Sequence, residues 1–361
     1  MPNPVVREDL EHIHQSIAKR SDRLREAVVV MTGCAGFLGY YLMQYLVRYA
    51  GPLGVSRVIG LDTFLLDRPR WLDELARGFP SVLKVAQFDV SRTPIHAVDG
   101  ANRATHVIHA ASIASPSFYR QHPLETLDAN VWGLRQLLDA YAGSDRLRGL
   151  LFFSSSEIYG DPPADQIPTR EEYRGHVACI GPRACYDEAK RFGETLCYVF
   201  ARERGVPITI ARPFNNFGPG MRLGDRRLPA DLASCVLEGR DIVIHSDGSP
   251  TRTFCYVSDA VAGYLLCLLH GRFDAFNIGI ERPEISVRDV AALYRETGRA
   301  LLGYSGDVRF EPSRDQEYLA DNPNRRSPDI SKARRELAYE PTVLVNDGVR
   351  RYLAFLAHER T

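Results

Sequence analysis

The sequence predicts an α/β protein: a doubly wound parallel sheet with a smaller C-terminal lobe. Three observations carry this. Short apolar runs alternate with helix-length stretches, a glycine-rich turn follows the first run, and the composition changes after Pro213. The runs are VVVMT, SRVIGLD, ATHVIHAAS, GLLFFSSS and PITIARP. Continuous apolar strands of this kind are buried on both faces, as in a parallel sheet covered by helices. The segments 124–141 and 185–203 carry the apolar periodicity of the covering helices.

Before the first run, Leu10, Ile13, Ile17 and Leu24 recur at near-helical spacing among charges, so residues 1–26 read as a helical extension that braces the fold. Residues 27–213 form the sheet domain. Residues 214–361, rich in Gly, Pro and Arg, read mainly as the smaller lobe, with helices near 228–238 and 287–297. The apolar run at 276–279 reads as a return strand to the sheet near 274–280. In open α/β sheets ligands bind at the carboxyl edge of the strands, which this lobe would overlie.

With 45% apolar and 25% charged residues, the 361-residue chain has the make-up of a soluble globular protein. Its 45 Lys plus Arg balance 45 Asp plus Glu, so no global field favours nucleic acid or an anionic membrane. The start MPNPVVREDLEHIHQ lacks a hydrophobic leader, and no run reaches the length of a membrane span, so the expected location is cytoplasmic. Seven scattered cysteines without a CxxC pair or a histidine cluster read as free thiols, with no metal site.

The turn after VVVMT is Gly33-Cys34-Ala35-Gly36-Phe37-Leu38-Gly39. Glycines between a strand and a helix let backbone amides approach a pyrophosphate, and the helix N-terminus adds partial positive charge. Asp62, closing RVIGLD, stands where a carboxylate takes the ribose hydroxyls of NAD and repels the extra phosphate of NADP. Asp89 and Val90, in QFDV, end the next strand beside the adenine. The fold expected is therefore Rossmann-type, with NAD as cofactor.

Tyr186 and Lys190 are four residues apart in ACYDEAK, on one face of a helix. A free tyrosine titrates near ~10, but an adjacent ammonium and the positive nicotinamide ring favour the phenolate, which makes Tyr186 a general base near neutrality. The run Ser154-Ser155-Ser156-Glu157-Ile158-Tyr159-Gly160 directly follows LLFF and lies at the same sheet edge.

Taken in order, GxxGxxG, SSSEIYG, YxxxK and RPFNNFGP resemble the extended short-chain dehydrogenases that modify nucleotide sugars. The runs ASPSFYRQHP, EIYGDP, GPRACYDEAKRFGETLCY, TRTFCYVSD and DNPNRRSPDISKA are similar to those of UDP-glucuronate decarboxylases, also called UDP-xylose synthases. The resemblance runs from Val28 to Pro341 and is most specific over 180–198.

It implies that Tyr186, aided by Ser155, takes the proton from the sugar 4-hydroxyl while hydride passes to NAD. The resulting β-keto acid loses carbon dioxide through an enolate whose oxygen Tyr186 and Ser155 hold. Protonation at carbon 5 and hydride return then give UDP-xylose, with NAD recycled. The resemblance further implies that Glu157 sits beside carbon 5, and that Ser156 and Arg252 sit near the sugar carboxylate. Tyr119 is implied to contact the sugar, Asn215 the nucleotide and Arg326 the pyrophosphate. Ala110, Ala111 and Pro213 are implied to border the cofactor together with Tyr186 and Lys190, and Asn130 to support the sheet edge. The family pairs as a homodimer through the helices near 131–141 and 185–203.

Two positions depart from the family. Cys34 replaces a glycine of the turn, and Ser155 replaces a threonine, losing the methyl that restricts its rotamer. Looser holding would let some 4-keto intermediate leave before reduction. A UDP-glucuronate 4-epimerase is the nearest alternative and would retain the carboxylate. A 4,6-dehydratase carries an acidic pair where this chain has Ser156-Glu157. A non-catalytic NAD-sensing module would lack Tyr186 or Lys190.

Overall fold

The computed structural model describes residues 3–311 and 323–360. Seven strands form the main sheet: β1 (Val28–Thr32), β2 (Arg57–Asp62), β3 (Leu83–Gln87), β4 (His106–His109), β5 (Gly149–Phe153), β6 (Ile208–Pro213) and β7 (Asp274–Ile278). They are all parallel, in the order β7-β6-β5-β4-β1-β2-β3. Every residue of β4 and β5 is buried, as a sheet covered on both faces requires. The chain order reverses between β1 and β4, and a crevice opens there at the carboxyl edge.

Six helices matter for the site: α1 (Pro4–Ile17), α2 (Phe37–Arg48), α3 (Leu134–Tyr141), α4 (Ala184–Arg204), α5 (Leu228–Glu238) and α6 (Val257–Leu268). All residues of α6 are buried, because it lies between the sheet and α1 and α2. The expected N-terminal helix is present as α1 followed by a 3-10 segment, Ala18–Leu24, and Leu10, Ile13, Ile17 and Leu24 all face inward. The buried Asp9 ties α1 down by accepting from Tyr41 Oη, Tyr256 Oη at 2.8 Å and Arg351 Nη1 at 2.9 Å.

The stretch expected to be one helix over 124–141 is interrupted. Pro123–Leu127 passes through a π-helical segment, Asp128–Gly133, into α3. Within it, Asn130 is fully buried and donates from Nδ2 to the Thr126 carbonyl at 2.8 Å. The helix expected over 287–297 extends to Leu302 and stops at Gly303, whose positive φ ends it. The third strand ends at Gln87, the first residue of QFDV, leaving Asp89 and Val90 beyond the strand.

In the smaller lobe, Arg325–Arg326 pairs in parallel with Thr251–Thr253, with Arg326 opposite Arg252. This places beside one another two side chains that are distant in sequence. Of the run DNPNRRSPDISKA, Asp321 and Asn322 lie outside the described residues.

Helix α4 approaches β5 closely at Gly193, where a Cβ would stand 2.5 Å from Phe152 Cζ. Gly193→Val overpacks this contact without moving the site residues apart in sequence. It is expected to cost about 2 kcal/mol of stability, read as a lower urea midpoint at unchanged slope.

Candidate active site

The crevice is a cleft of 1190 Å³ walled by the β1 turn, the ends of β2, β4 and β5, helix α4 and the smaller lobe. Gly33, Gly36, Phe37, Leu38, Gly39, Asp62, Asp89, Val90, Ala110, Ala111 and Pro213 all line it. Gly33 has φ +77°, and a Cβ there would stand 2.6 Å from the backbone of Ala110 and Ala111. Only glycine lets the turn lie this close to the end of β4. Gly36 caps α2, whose N-terminus opens on the cleft. The substituted Cys34 is accommodated because β2 carries Gly60 beneath it, where a Cβ would meet Cys34 Sγ at 3.1 Å.

Asp62 serves the turn as well as the cleft. Its Oδ2 accepts from Ala35 N and its Oδ1 from Phe64 N, each at 2.9 Å. This cradle fits a dinucleotide. Helix-terminal amides face the pyrophosphate position, a carboxylate stands where the ribose hydroxyls fall, and Gly33 itself puts no side chain into the cleft.

Tyr186 and Lys190 lie on the inward face of α4, both buried. The ammonium of Lys190 donates to the Phe153 carbonyl at 2.7 Å and lies 5.6 Å from the Tyr186 ring centre. The Ser155 hydroxyl accepts from Glu157 N at 3.1 Å, capping the turn Ser156–Tyr159, and it favours the Tyr186 phenolate. Tyr119 stacks on Tyr186, with ring centres 5.2 Å apart and planes 12° from parallel. The Tyr119 hydroxyl is buried and has no hydrogen-bond partner among the described residues.

In the protein alone, burial opposes both charged forms. Burial pushes Tyr186 up to about 12, and although Ser155 opposes this, Glu157 and Asp187 add to it. Burial likewise drives Lys190 down to about 7, so the ammonium does not by itself bring the phenol to neutrality.

Glu157 occupies the centre of a charged row. Its Oε2 accepts from Arg183 Nη2 and its Oε1 from Arg326 Nη1. Burial raises this carboxyl, but Arg326 and Arg183 overcome it and hold the group ionised. Arg326, expected at the pyrophosphate, thus also reaches Glu157. Arg252 is anchored by the carbonyls of Thr251, Pro323 and Asn324, and burial followed by Arg326 lowers it to about 10. Asn215, at φ +40°, lines the cleft and donates from Nδ2 to the Thr253 carbonyl at 3.0 Å. Ser156 is buried in the cleft wall.

Arg183 and Asp187 were not singled out from the sequence, although both lie inside GPRACYDEAK. The i, i+4 spacing that directed attention to Tyr186 and Lys190 applies equally to this pair. Among the described residues, one group could hold a metal, namely His270, Asp274 and Glu336. It lies at the amino end of β7, away from the cleft, and its carboxylates already pair with Lys332, Arg272 and Arg335.

Residues 29–279 match the model of the NAD dependent epimerase/dehydratase family. The chain belongs to this family. Its cofactor is NAD. It is 32% identical over 98% of its length to UDP-glucuronic acid decarboxylase 1 of Xenopus tropicalis, of which it covers 79%. Identity to UDP-glucuronic acid decarboxylase 3 of Arabidopsis thaliana is 34%, covering 89% of this chain and 86% of the relative. Among solved structures, a UDP-glucose 4-epimerase of Thermotoga maritima aligns with TM-score 0.78 at 25% identity, over 92% of this chain and all of that one. A UDP-glucuronic acid 4-epimerase of Bacillus cereus, solved with NAD, aligns with TM-score 0.73 at 24% identity, over 92% of this chain and 99% of that one. At that identity the likeness shows the family fold.

The depressed Lys190 makes stability depend on pH. Between about 7 and the ordinary lysine value of roughly 10.4, the unfolded chain binds more protons than the native one, so stability rises with pH across that window. Lys190→Met removes this dependence. The Tm of the variant relative to the wild type is expected to be highest below pH ~7 and to fall as pH rises toward ~10. A Tm difference that stays flat with pH would contradict the depressed ammonium.

Proposed function

We propose that this protein decarboxylates UDP-glucuronate to UDP-xylose, keeping and recycling NAD. The observation that carries the reading is the juxtaposition of two machines in one cleft. One is the buried Tyr186, Lys190 and Ser155 group, suited to oxidising a carbinol. The other is an arginine-clasped Glu157 next to it, suited to acting on a neighbouring carbon that bears a carboxylate. The decarboxylase relatives, matched over about nine-tenths of the chain, support the same reading.

Held by the Gly33–Gly39 turn and Asp62, NAD would supply a reversible acceptor for the carbon 4 hydride and a positive ring that favours the Tyr186 phenolate. Tyr186 removes the proton of the 4-hydroxyl, with Ser155 orienting the same oxygen. As carbon dioxide leaves, negative charge collects on that oxygen, and the Tyr186 and Ser155 hydroxyls stabilise it. Arg252 and Arg326 supply positive charge for the sugar carboxylate, and Tyr119 packs on Tyr186 to shape the sugar's seat. Asn215 faces the nucleotide. Ser156 borders the carboxylate. Ser155, with no γ-methyl to restrict it, lets part of the 4-keto product leave early.

The protein is further proposed to act as a cytoplasmic homodimer. No helix among the described residues is long and apolar enough to cross a membrane. The seven cysteines are all free, in keeping with a reducing compartment. Trp132, Phe192, Tyr198 and Val199 expose large apolar surface beside α3 and along α4, in keeping with a helical pairing face. Sedimentation of the wild type is expected at twice the chain mass, and Phe192→Glu combined with Tyr198→Glu is expected to give the monomer. A wild type that sediments as a monomer at micromolar concentration would remove the dimer.

The function is tested by incubating the purified protein with NAD and UDP-glucuronate, then analysing products by mass spectrometry and proton NMR. Carbon dioxide and UDP-xylose are expected, with a minor share of UDP-4-ketopentose. A product of unchanged mass would make the protein an epimerase, and no reduction of NAD with any nucleotide sugar would make it a sensor.

A further inference from the structure

Beyond the groups that line the cleft, the charged row continues into the body of helix α4. Arg183, its N-cap residue, reaches two acids with one edge of its guanidinium. Nη2 donates to Glu157 Oε2, and Nε donates to Asp187 Oδ2 at 3.5 Å. The planar fork makes such a bridge directional, since rotating the guanidinium to serve one acid moves it off the other. Asp187 is 5% exposed and is not among the residues lining the cleft. Its other oxygen, Oδ1, is buried without a hydrogen-bond partner among the described residues.

A first-turn aspartate ordinarily needs no explanation, because it offsets the helix dipole from an exposed position. Asp187 is not exposed. Its burial is costly, and burial together with Glu157 raises its carboxyl while Arg183 opposes the rise. An acid kept at that expense, one residue after Tyr186, has as its ion-pair partner among the described residues the same arginine that holds Glu157.

We propose that Asp187 is a positioning residue for the reaction, fixing Glu157 through Arg183. The inference rests on the decarboxylase reading above. It assigns different duties to the two arginines on Glu157. Arg326 comes from the smaller lobe and lies beside Arg252, so an incoming sugar carboxylate competes with Glu157 for it. Arg183 is committed to the sheet domain by Asp187 and keeps its hold on Glu157 Oε2 when Arg326 is shared. Without Asp187 the guanidinium is free to follow the substrate carboxylate, and Glu157 loses its fixed placement at carbon 5.

A double-mutant cycle tests the claim, using the full chain loaded with NAD and measuring both NAD reduction and carbon dioxide release. Asp187→Asn keeps the side-chain shape and removes the charge. It is expected to lower kcat for carbon dioxide release about 10-fold, with KM within about 2-fold and the initial reduction of NAD little changed. In a Glu157→Gln background the same substitution is expected to add less than about 2-fold, because the acid it positions is gone. A full additional loss in that background, or equal losses in NAD reduction and carbon dioxide release, would overturn the proposal and leave Asp187 a structural residue. Arg183→Lys, which retains the charge without the fork, gives the same cycle if Asp187→Asn fails to fold. Should the wild type release no carbon dioxide, the reaction reading fails separately, and the cycle is scored on the sugar product that the wild type does form.

Discussion

The contact between the Lys190 ammonium and the Phe153 carbonyl governs how the long helix lies on the sheet. An ammonium buried among Phe152, Phe153 and Tyr186 is tolerable only with such an acceptor, and the end of a parallel strand supplies one that no neighbouring strand requires. Gly193, one turn further along the helix, allows the approach. Once this contact is made, Tyr186 faces the end of β5, where Ser155 follows directly, and Arg183 falls beside Glu157. The site is thus a consequence of docking one helix on one strand end.

The two lobes contribute different kinds of chemistry. The sheet domain supplies groups whose protonation is set by burial, namely Tyr186, Lys190 and Asp187. The smaller lobe supplies fixed positive charge through Arg252 and Arg326, placed side by side by a short parallel pairing. Glu157 joins the two, since its oxygens are held from opposite lobes. A buried carboxylate shared in this way makes lobe placement and site electrostatics one property.

The strands, the glycine turn, the N-terminal helix and the helix bearing Tyr186 were legible because each is written in local periodicity or in a run of adjacent residues. The pairing of Arg326 with Glu157 was not, since it depends on a parallel strand pair formed across more than half the chain. Arg183 and Asp187 were adjacent to the recognised motif but escaped notice, because their importance lies in burial, which sequence spacing does not report. The upward pull of burial on Tyr186 and its downward pull on Lys190 were not legible for the same reason: the charge of a neighbour can be read from sequence, whereas the loss of water cannot. Cys34 looked like a departure from the turn's glycine pattern, and Gly60 on the adjacent strand explains how it fits.

The π-helical segment Asp128–Gly133 gives one continuous helix two orientations. Glu125 before it and Asp128 at its start face the cleft; after it, Leu134, Leu137 and Leu138 face the core. One residue of an α-helix corresponds to a rotation of about 100°, so the extra residue accommodated by the wider turn acts as a phase shift between the halves. Removing a single residue there would leave the core half seated and swing the cleft half out of register. The length of this segment, more than the identity of any side chain in it, is what the fold must preserve.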